Sequence, residues 1–396
     1  MGSIITLGIE NFEIDWGKNG ISRNHSVLFL PDDIRETKYY YAESVVEIKP
    51  AFSRKLKDVV KRVELLGYSL QKIEEMYNQS IDEVPDYYDP VTIGFEDFHR
   101  IISTINISKI RLDKDYVDGA YDLGEFVTDC IFKDGQFRKF KKLRNLDRDI
   151  GTFFENLDPY IVLRLLYENE ENRELDIIWR YHDLVESGWV RESDIYDPLP
   201  TKDKFLLVTE GSTDSFIIKR AFEIIYPEIA DFFYYVDMKE NYPFTGTGNL
   251  FKFCQGLVSI NILNKVLFIY DNDVAGNSKF IQSKTLKLPS NVGIMKLPDM
   301  NEFTRFSCLG PNGLGFEDIN GKAVSIECFL DLGYKASSEP QVRWKSFDEQ
   351  SNHYQGELVH KDKYTRIFQK AKNQHIYDLT KLTKLLDCIY DHCLRL

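Results

Sequence analysis

The chain has 396 residues, with 63 acidic and 50 basic side chains and a formal net charge of −13. Apolar residues make up 43% and charged residues 29%, which excludes a disordered or collagen-like chain and supplies material for two or three domains. The longest uncharged runs, such as Phe253 to Asn264, fall short of the roughly 18 residues that a bilayer span takes, so no membrane segment is expected.

The start lacks the basic-then-apolar order of a secretory signal. The cysteines at 130, 254, 308, 328, 388 and 393 form no Cys-x-x-Cys pair and no zinc spacing with histidine. Reduced thiols in a cytoplasmic protein are the expectation. The acidic total does not exclude a nucleic-acid substrate, because net charge governs solubility and long-range steering while a cation can serve a local groove.

Strands are expected first, at Ile4 to Ile14 and His25 to Leu30, separated by a Gly17–Asn19–Gly20 turn signal, with another candidate at Tyr39 to Ile48. The spacing of Leu56, Val59, Val60, Val63 and Leu66 predicts a helix over Ser53 to Leu66. Glu74 to Asp89 reads as an exposed acidic loop, and Phe95 to Ile105 as a helix. Lys133 to Arg148 interleaves basic residues with Phe137 and Phe140. Lys139, Lys141, Lys142 and Arg144 there are candidates to track a phosphate backbone, against the plainer reading of a solvated helix. Asp158-Pro159 is a helix start. A second helix is expected through Ile177, Ile178, Tyr181, Leu184 and Val185, and the proline-containing stretch Asp194 to Asp203 reads as a linker.

From Lys204 the pattern becomes strand, turn, helix. Phe205 to Val208 is a short continuous apolar run, as in a strand buried on both faces. It ends in Thr209-Glu210-Gly211-Ser212-Thr213-Asp214, and a helix follows. Glu210 then sits at the carboxyl end of a parallel strand, where open α/β sheets place their sites, and Asp214 in the first turn of the helix. Gly211 is expected to allow the tight turn, with Ser212 or Thr213 capping the helix.

A second buried run, Val266 to Tyr270, ends in Asp271-Asn272-Asp273, whose two carboxylates point to one side of an extended chain. Like charges at a strand tip repel unless a cation lies between them, and oxygen donors without Cys or His suit Mg²⁺ or Mn²⁺. Singly, each acid is as readily a cap or a turn residue.

A Glu-Gly-x-x-Asp strand end, followed about 60 residues later by an apolar run and Asp-x-Asp, resembles the Toprim domain shared by topoisomerases, bacterial primases and OLD-family nucleases. Phe232 to Val236 fits the next strand. Gly246-Thr247-Gly248 fits the turn after it, where Gly248 opens a helix whose N–H groups can meet a phosphate. Val324 to Leu330, with Ser325 and Glu327, resembles the Ser-x-Glu element of OLD-type enzymes, and His360 to Tyr364 their late lysine region. Met1 to Asn19, Ser26 to Leu30 and Tyr39 to Tyr41 resemble the HEPN/Toprim-associated N-terminal domain. None of the seven histidines completes the HEPN signature Arg-x-x-x-x-His, and no P-loop is present.

The resemblance implies residues 1–150 as the α+β N-terminal domain and 151–200 as a helical connector. It further implies 201–334 as a Rossmann-like α/β Toprim domain, completed by a hairpin (Gln341 to Phe347, Tyr354 to His360) and helices within 335–396. It implies a nuclease in which Glu210, Asp271 and Asp273 bind one Mg²⁺ or Mn²⁺ and Asp214 and Glu327 a second. Ser325 and Gly211 support the acids, and Lys363 faces the phosphate; Glu317 and Lys361 are the substitutes. A cytoplasmic anti-phage effector acting on DNA or RNA follows from the same resemblance. An ATPase or sensor would be a separate protein, and homo-oligomerisation stays open. The alternatives are a topoisomerase- or primase-like enzyme and a non-catalytic nucleic-acid-binding subunit.

Overall fold

The computed structural model describes residues 4–10, 12–18, 22–41, 46–83, 93–110, 134–137, 154, 156–236, 246–260, 262–311, 313–335, 338–371 and 376–396. Of the basic-aromatic stretch, residues 134–137 are among them, with Phe137 buried in the core, while Lys139, Lys141, Lys142 and Arg144 lie outside them. The chain divides into two compact units, Met1–Pro198 and Leu199–Leu396. Among the described residues no helix is long and apolar enough to cross a membrane.

The first unit is built on five antiparallel strands: β1 (Ile4–Ile9), β2 (Phe12–Lys18), β3 (Ile34–Tyr40), β4 (Val46–Lys55) and β5 (Asp176–Arg180), in the order β2-β1-β5-β4-β3. Helices α1 (Leu56–Val63), α2 (Ile73–Asp82), α3 (Phe95–Ile102), α4 (Pro159–Leu166) and α5 (His182–Glu186) accompany it. Trp179 of β5 stacks on Phe52 of β4 at 5.7 Å, and Phe52 on Phe29 at 5.4 Å, in the middle of the core. Asp158 caps α4 as expected, its side chain accepting the Tyr160 N–H at 2.9 Å.

Three expectations are corrected. Ile177 and Ile178 belong to a strand, not a helix. β5 lies between β1 and β4, so its apolar run is continuous and coincides with helical spacing by chance; only 182–186 is helical. The expected connector at 151–200 therefore contributes a central strand. Residues 26–28 form a single 3₁₀ turn, because the Asn24 side chain accepts the Ser26 N–H at 2.8 Å and diverts the backbone from a ladder. Glu74 to Asp82 is helical, with Ile73 and Tyr77 buried one turn apart and Glu74 and Glu75 favourably placed at its positive end.

The second unit holds a parallel sheet of β6 (Phe205–Val208), β7 (Phe233–Tyr235), β8 (Lys265–Tyr270) and β10 (Val292–Lys296), in the order β10-β8-β6-β7. Two-residue β9 (Asn272–Asp273) follows β8 and pairs with β13 (Ala323–Val324). A further sheet, β12-β11-β14-β15, comprises β11 (Phe306–Gly310), β12 (Gly313–Glu317), β14 (Val342–Asp348) and β15 (His353–Leu358). The last two are antiparallel, matching the expected hairpin.

Helices α6 (Ser212–Ile225), α7 (Thr247–Ser259), α8 (Val274–Ser283), α9 (Lys361–Lys370) and α10 (Thr380–Cys393) complete the unit. Alternate residues of the central strands serve opposite faces. Leu206, Val208, Val266 and Phe268 pack with Leu250 and Cys254 of α7, and the intervening Phe205, Leu207 and Leu267 are equally buried. Strand order reverses between β6 and β8, which opens a crevice at their carboxyl ends. The described residues are thus mixed α/β and include a parallel sheet.

Candidate functional site

Glu210 follows β6 and holds the crevice together. Its Oε1 accepts the Asp271 N–H at 3.1 Å, its Oε2 accepts the Thr247 hydroxyl at 2.7 Å, and its carbonyl accepts the Gly246 N–H at 3.0 Å. One residue therefore joins the ends of β6 and β8 to the start of α7. Gly246 takes φ +88°, a left-handed backbone that favours glycine. Gly211 does not: its φ of −149° is extended, so the expectation of a glycine-dependent turn there is corrected. Its N–H instead donates to Asp214 Oδ2 at 2.9 Å, and neither Ser212 nor Thr213 caps α6.

Asp271 and Asp273 are used differently. Asp273 caps α8, its Oδ1 accepting the Gly276 N–H at 2.7 Å while Oδ2 accepts from Gln355 at 2.6 Å. The Asp271 carboxylate has no hydrogen-bond donor among the described residues. Between them Asn272 is fully buried, donating to Asp299 at 2.6 Å and accepting from Lys296 at 2.9 Å. That alternation anchors the tip and leaves the aspartates on the crevice side. A Cβ at Gly276 would lie 2.1 Å from the Asp271 carbonyl oxygen, so only glycine lets α8 start this close to the tip.

The β9–β13 pairing delivers the remaining acid. Asn272 pairs with Val324, and the chain then turns through Ser325 to Glu327, which is buried and accepts the Ser325 hydroxyl at 2.7 Å. The acids repel one another. Burial, then Glu327 and Glu210, push Asp214 up to about 8. Burial, then Asp214, Glu210, Asp273 and Glu327, hold Asp271 well above the carboxylate range. Glu210 is raised chiefly by burial and further by Asp273, against the hydrogen bonds from Thr247 and the Asp271 N–H.

Lys361, the first residue of α9, supplies opposing charge and lowers both Glu210 and Asp214; its Nζ stands 3.7 Å from Glu357. It was the substitute in the sequence reading, where Lys363 came first. Lys363 lines a cavity of about 490 Å³ with Tyr334, Lys335, His360 and Arg366. Glu317 accepts from the Trp344 indole at 3.0 Å. Gly248 lines a cleft of about 1060 Å³ beside α7. Among the described residues no three His, Cys, Asp or Glu side chains converge as metal ligands, so the acids are gathered but not closed into a ligand set.

The whole of the first unit answers to one family. A model of the HEPN/Toprim N-terminal domain 1 family matches residues 1–203, and the chain belongs to that family. No curated protein and no solved structure matches the chain.

Proposed function

We propose that the second unit is a Rossmann-like Toprim catalytic domain and the chain a divalent-metal-dependent nuclease that hydrolyses phosphodiester bonds of DNA or RNA. The observation that carries this reading is the carboxylate cluster. Glu210, Asp214, the Asp271–Asp273 tip and Glu327 gather at the switch point of a parallel sheet, where burial and the neighbouring carboxylates raise the proton affinity of Glu210, Asp214 and Asp271. Such repulsion costs folding energy and marks a functional site.

The donors are all oxygen, which fits Mg²⁺ or Mn²⁺. Glu210, Asp271 and Asp273 would hold one ion and Asp214 and Glu327 a second; each Asp273 oxygen keeps a lone pair beyond its present bond. Bound divalent cations supply Lewis-acid stabilisation of a phosphate during in-line displacement. The chain's own part is orientation. Thr247 and the Asp271 N–H fix Glu210, the Gly211 N–H fixes Asp214, and Ser325 fixes Glu327. Lys361 adds a side-chain cation to accompany the phosphate. A cytoplasmic anti-phage role, triggered through a separate ATPase or sensor, extends the reading from the family that the first unit belongs to.

The test is a cleavage assay on DNA and tRNA, with Mg²⁺, Mn²⁺ or a chelator. Cleavage that needs the cation and is lost in Asp271→Asn supports the proposal. Equal cleavage by Asp271→Asn rejects the site. Binding without cleavage would leave a nucleic-acid-binding regulatory subunit.

A further inference from the structure

The cleft of about 1060 Å³ lies between the start of α7, α8 and the β14–β15 hairpin. It borders the acids at two points: Thr247 lines it and donates to Glu210, and Gln355 lines it and donates to Asp273. Its walls are unlike those of a phosphate groove. Among its described lining residues Lys279 is the one lysine or arginine, and its ammonium already bonds Gln282 Oε1 at 2.9 Å. Asp348 is the one acid.

The lining is instead apolar and neutral-polar. Val274, Ala275 and Ile281 supply apolar surface, with Ile281 62% exposed. Ser278 stands on one wall and Ser346 and His353 on the hairpin side, and no side-chain hydrogen bond engages any of the three among the described residues. A nucleobase has this same division, with flat apolar faces and polar edges. A duplex presents mainly phosphates and sugars to a protein. Amide, hydroxyl and imidazole groups over an apolar floor recognise bases whose edges are free.

We propose that this cleft binds an unstacked nucleotide of the substrate beside the carboxylates, so that the strand cut is single-stranded or locally unpaired. The cutting part of the statement rests on the nuclease reading; the binding part does not. Gly248 gives a clean way to fill the cleft, because a Cβ there meets nothing within 4 Å.

Calorimetry on the full chain with the four nucleoside 5′-monophosphates and with ribose 5-phosphate tests it. At least one mononucleotide is expected to bind about tenfold tighter than ribose 5-phosphate, and Gly248→Leu and Ser278→Trp are each expected to remove about tenfold. Circular dichroism checks the fold. If both variants misfold, His353→Ala on the exposed hairpin takes their place, with loss expected again. Ribose 5-phosphate binding as tightly as every mononucleotide, or folded variants binding like wild type, would overturn the cleft assignment. A second arm separates the two readings. Mononucleotide binding that is lost in the variants, with no cleavage of any nucleic acid, keeps the cleft and rejects the nuclease. Cation-dependent cleavage that runs equally on duplex and single strands, and is unchanged by Gly248→Leu, keeps the nuclease and rejects the cleft.

Discussion

The two units treat buried charge in opposite ways. In the first, Arg180, Arg164, Arg54 and Lys49 each meet an acid, and the fully buried Arg62 donates to the Val27 carbonyl at 2.7 Å. Arg180 donates to Glu13 at 2.8 Å, Arg164 meets Glu64 at 2.8 Å and Glu168 at 2.6 Å, and Arg54 meets Asp33 at 2.7 Å. Lys49 sits among Asp183, Glu186 and Glu47. In the second, acids from β6, α6, β9 and the turn after β13 face one another, with Lys361 as their opposing charge. Arg180, Arg164, Arg54 and Lys49 of the first unit face acids that offset their charge. Unpaired like charge is a standing cost in the second, and a cost held by so many separate elements points to use.

The largest expected effect tests this contrast directly. Arg180 is 5% exposed and also donates to the Lys38 and Glu10 carbonyls. Arg180→Ala removes the buried cation beside Glu13 and is expected to destabilise the first unit by about 3–5 kcal/mol in denaturant titrations. Asp271→Asn should do the reverse, raising the melting temperature of the cation-free protein by removing one repelling charge. If both variants lower stability alike, the acids are structural and the contrast fails.

Next in size is a rate effect. Lys361→Ala is expected to lower turnover by on the order of 10²–10³, as for loss of one donor to developing negative charge. Lys363→Ala should cost less, since helical residues two apart face different sides. The reverse ranking in steady-state assays would return the role to Lys363.

A smaller effect divides the two aspartates. Asp273 caps α8, so Asp273→Ala is expected to cost about 0.5–2 kcal/mol through the lost cap. Asp271→Asn, two residues away, is expected to stabilise. The sequence reading treated the pair as equivalent, and thermal melts of the two variants without divalent cation check the distinction.

These residues also show what sequence alone made legible. Phe205–Val208 and Lys265–Tyr270 were readable because strands covered on both faces need unbroken apolar runs, and the acids ending them because strand tips are polar. Glu327 was found by its motif, but the β9–β13 pairing that brings it to Asp271 is a long-range contact with no local signal. The choice between Lys361 and Lys363 turned on where α9 starts. His360, at φ +63°, sets that start, and no periodicity marks it. β5 was missed for a related reason: a short apolar run in the middle of a sheet has the spacing of a helix, and only its neighbours β1 and β4 decide.

The smallest expected effect is a pair of opposed pH dependences. Asp214 binds its proton up to about pH 8 in the fold, against an ordinary value of 3.8, so the folded second unit carries more protons than the unfolded chain between these values. The stabilisation this gives is complete below pH 4 and is lost as the pH rises through 8. In the first unit the sign is reversed. His25 is 2% exposed, and burial holds it below its usual 6.5 despite the hydrogen bond to Asp15 at 2.7 Å. As a neutral ring it donates from Nε2 to Asp15 and accepts the Tyr160 hydroxyl at Nδ1, 3.3 Å away. The unfolded chain takes up a proton there first, so the first unit loses stability as the pH falls below 6.5. Hydrogen exchange read by mass spectrometry, corrected for intrinsic rates and without divalent cation, follows the units separately. From pH 6 to 8 protection of β8 should fall, and Asp214→Asn should flatten that slope. From pH 7 to 5 protection of β5 should fall. Slopes of one sign in both units would mean that the carboxylate cluster is not under the repulsion on which its assignment rests.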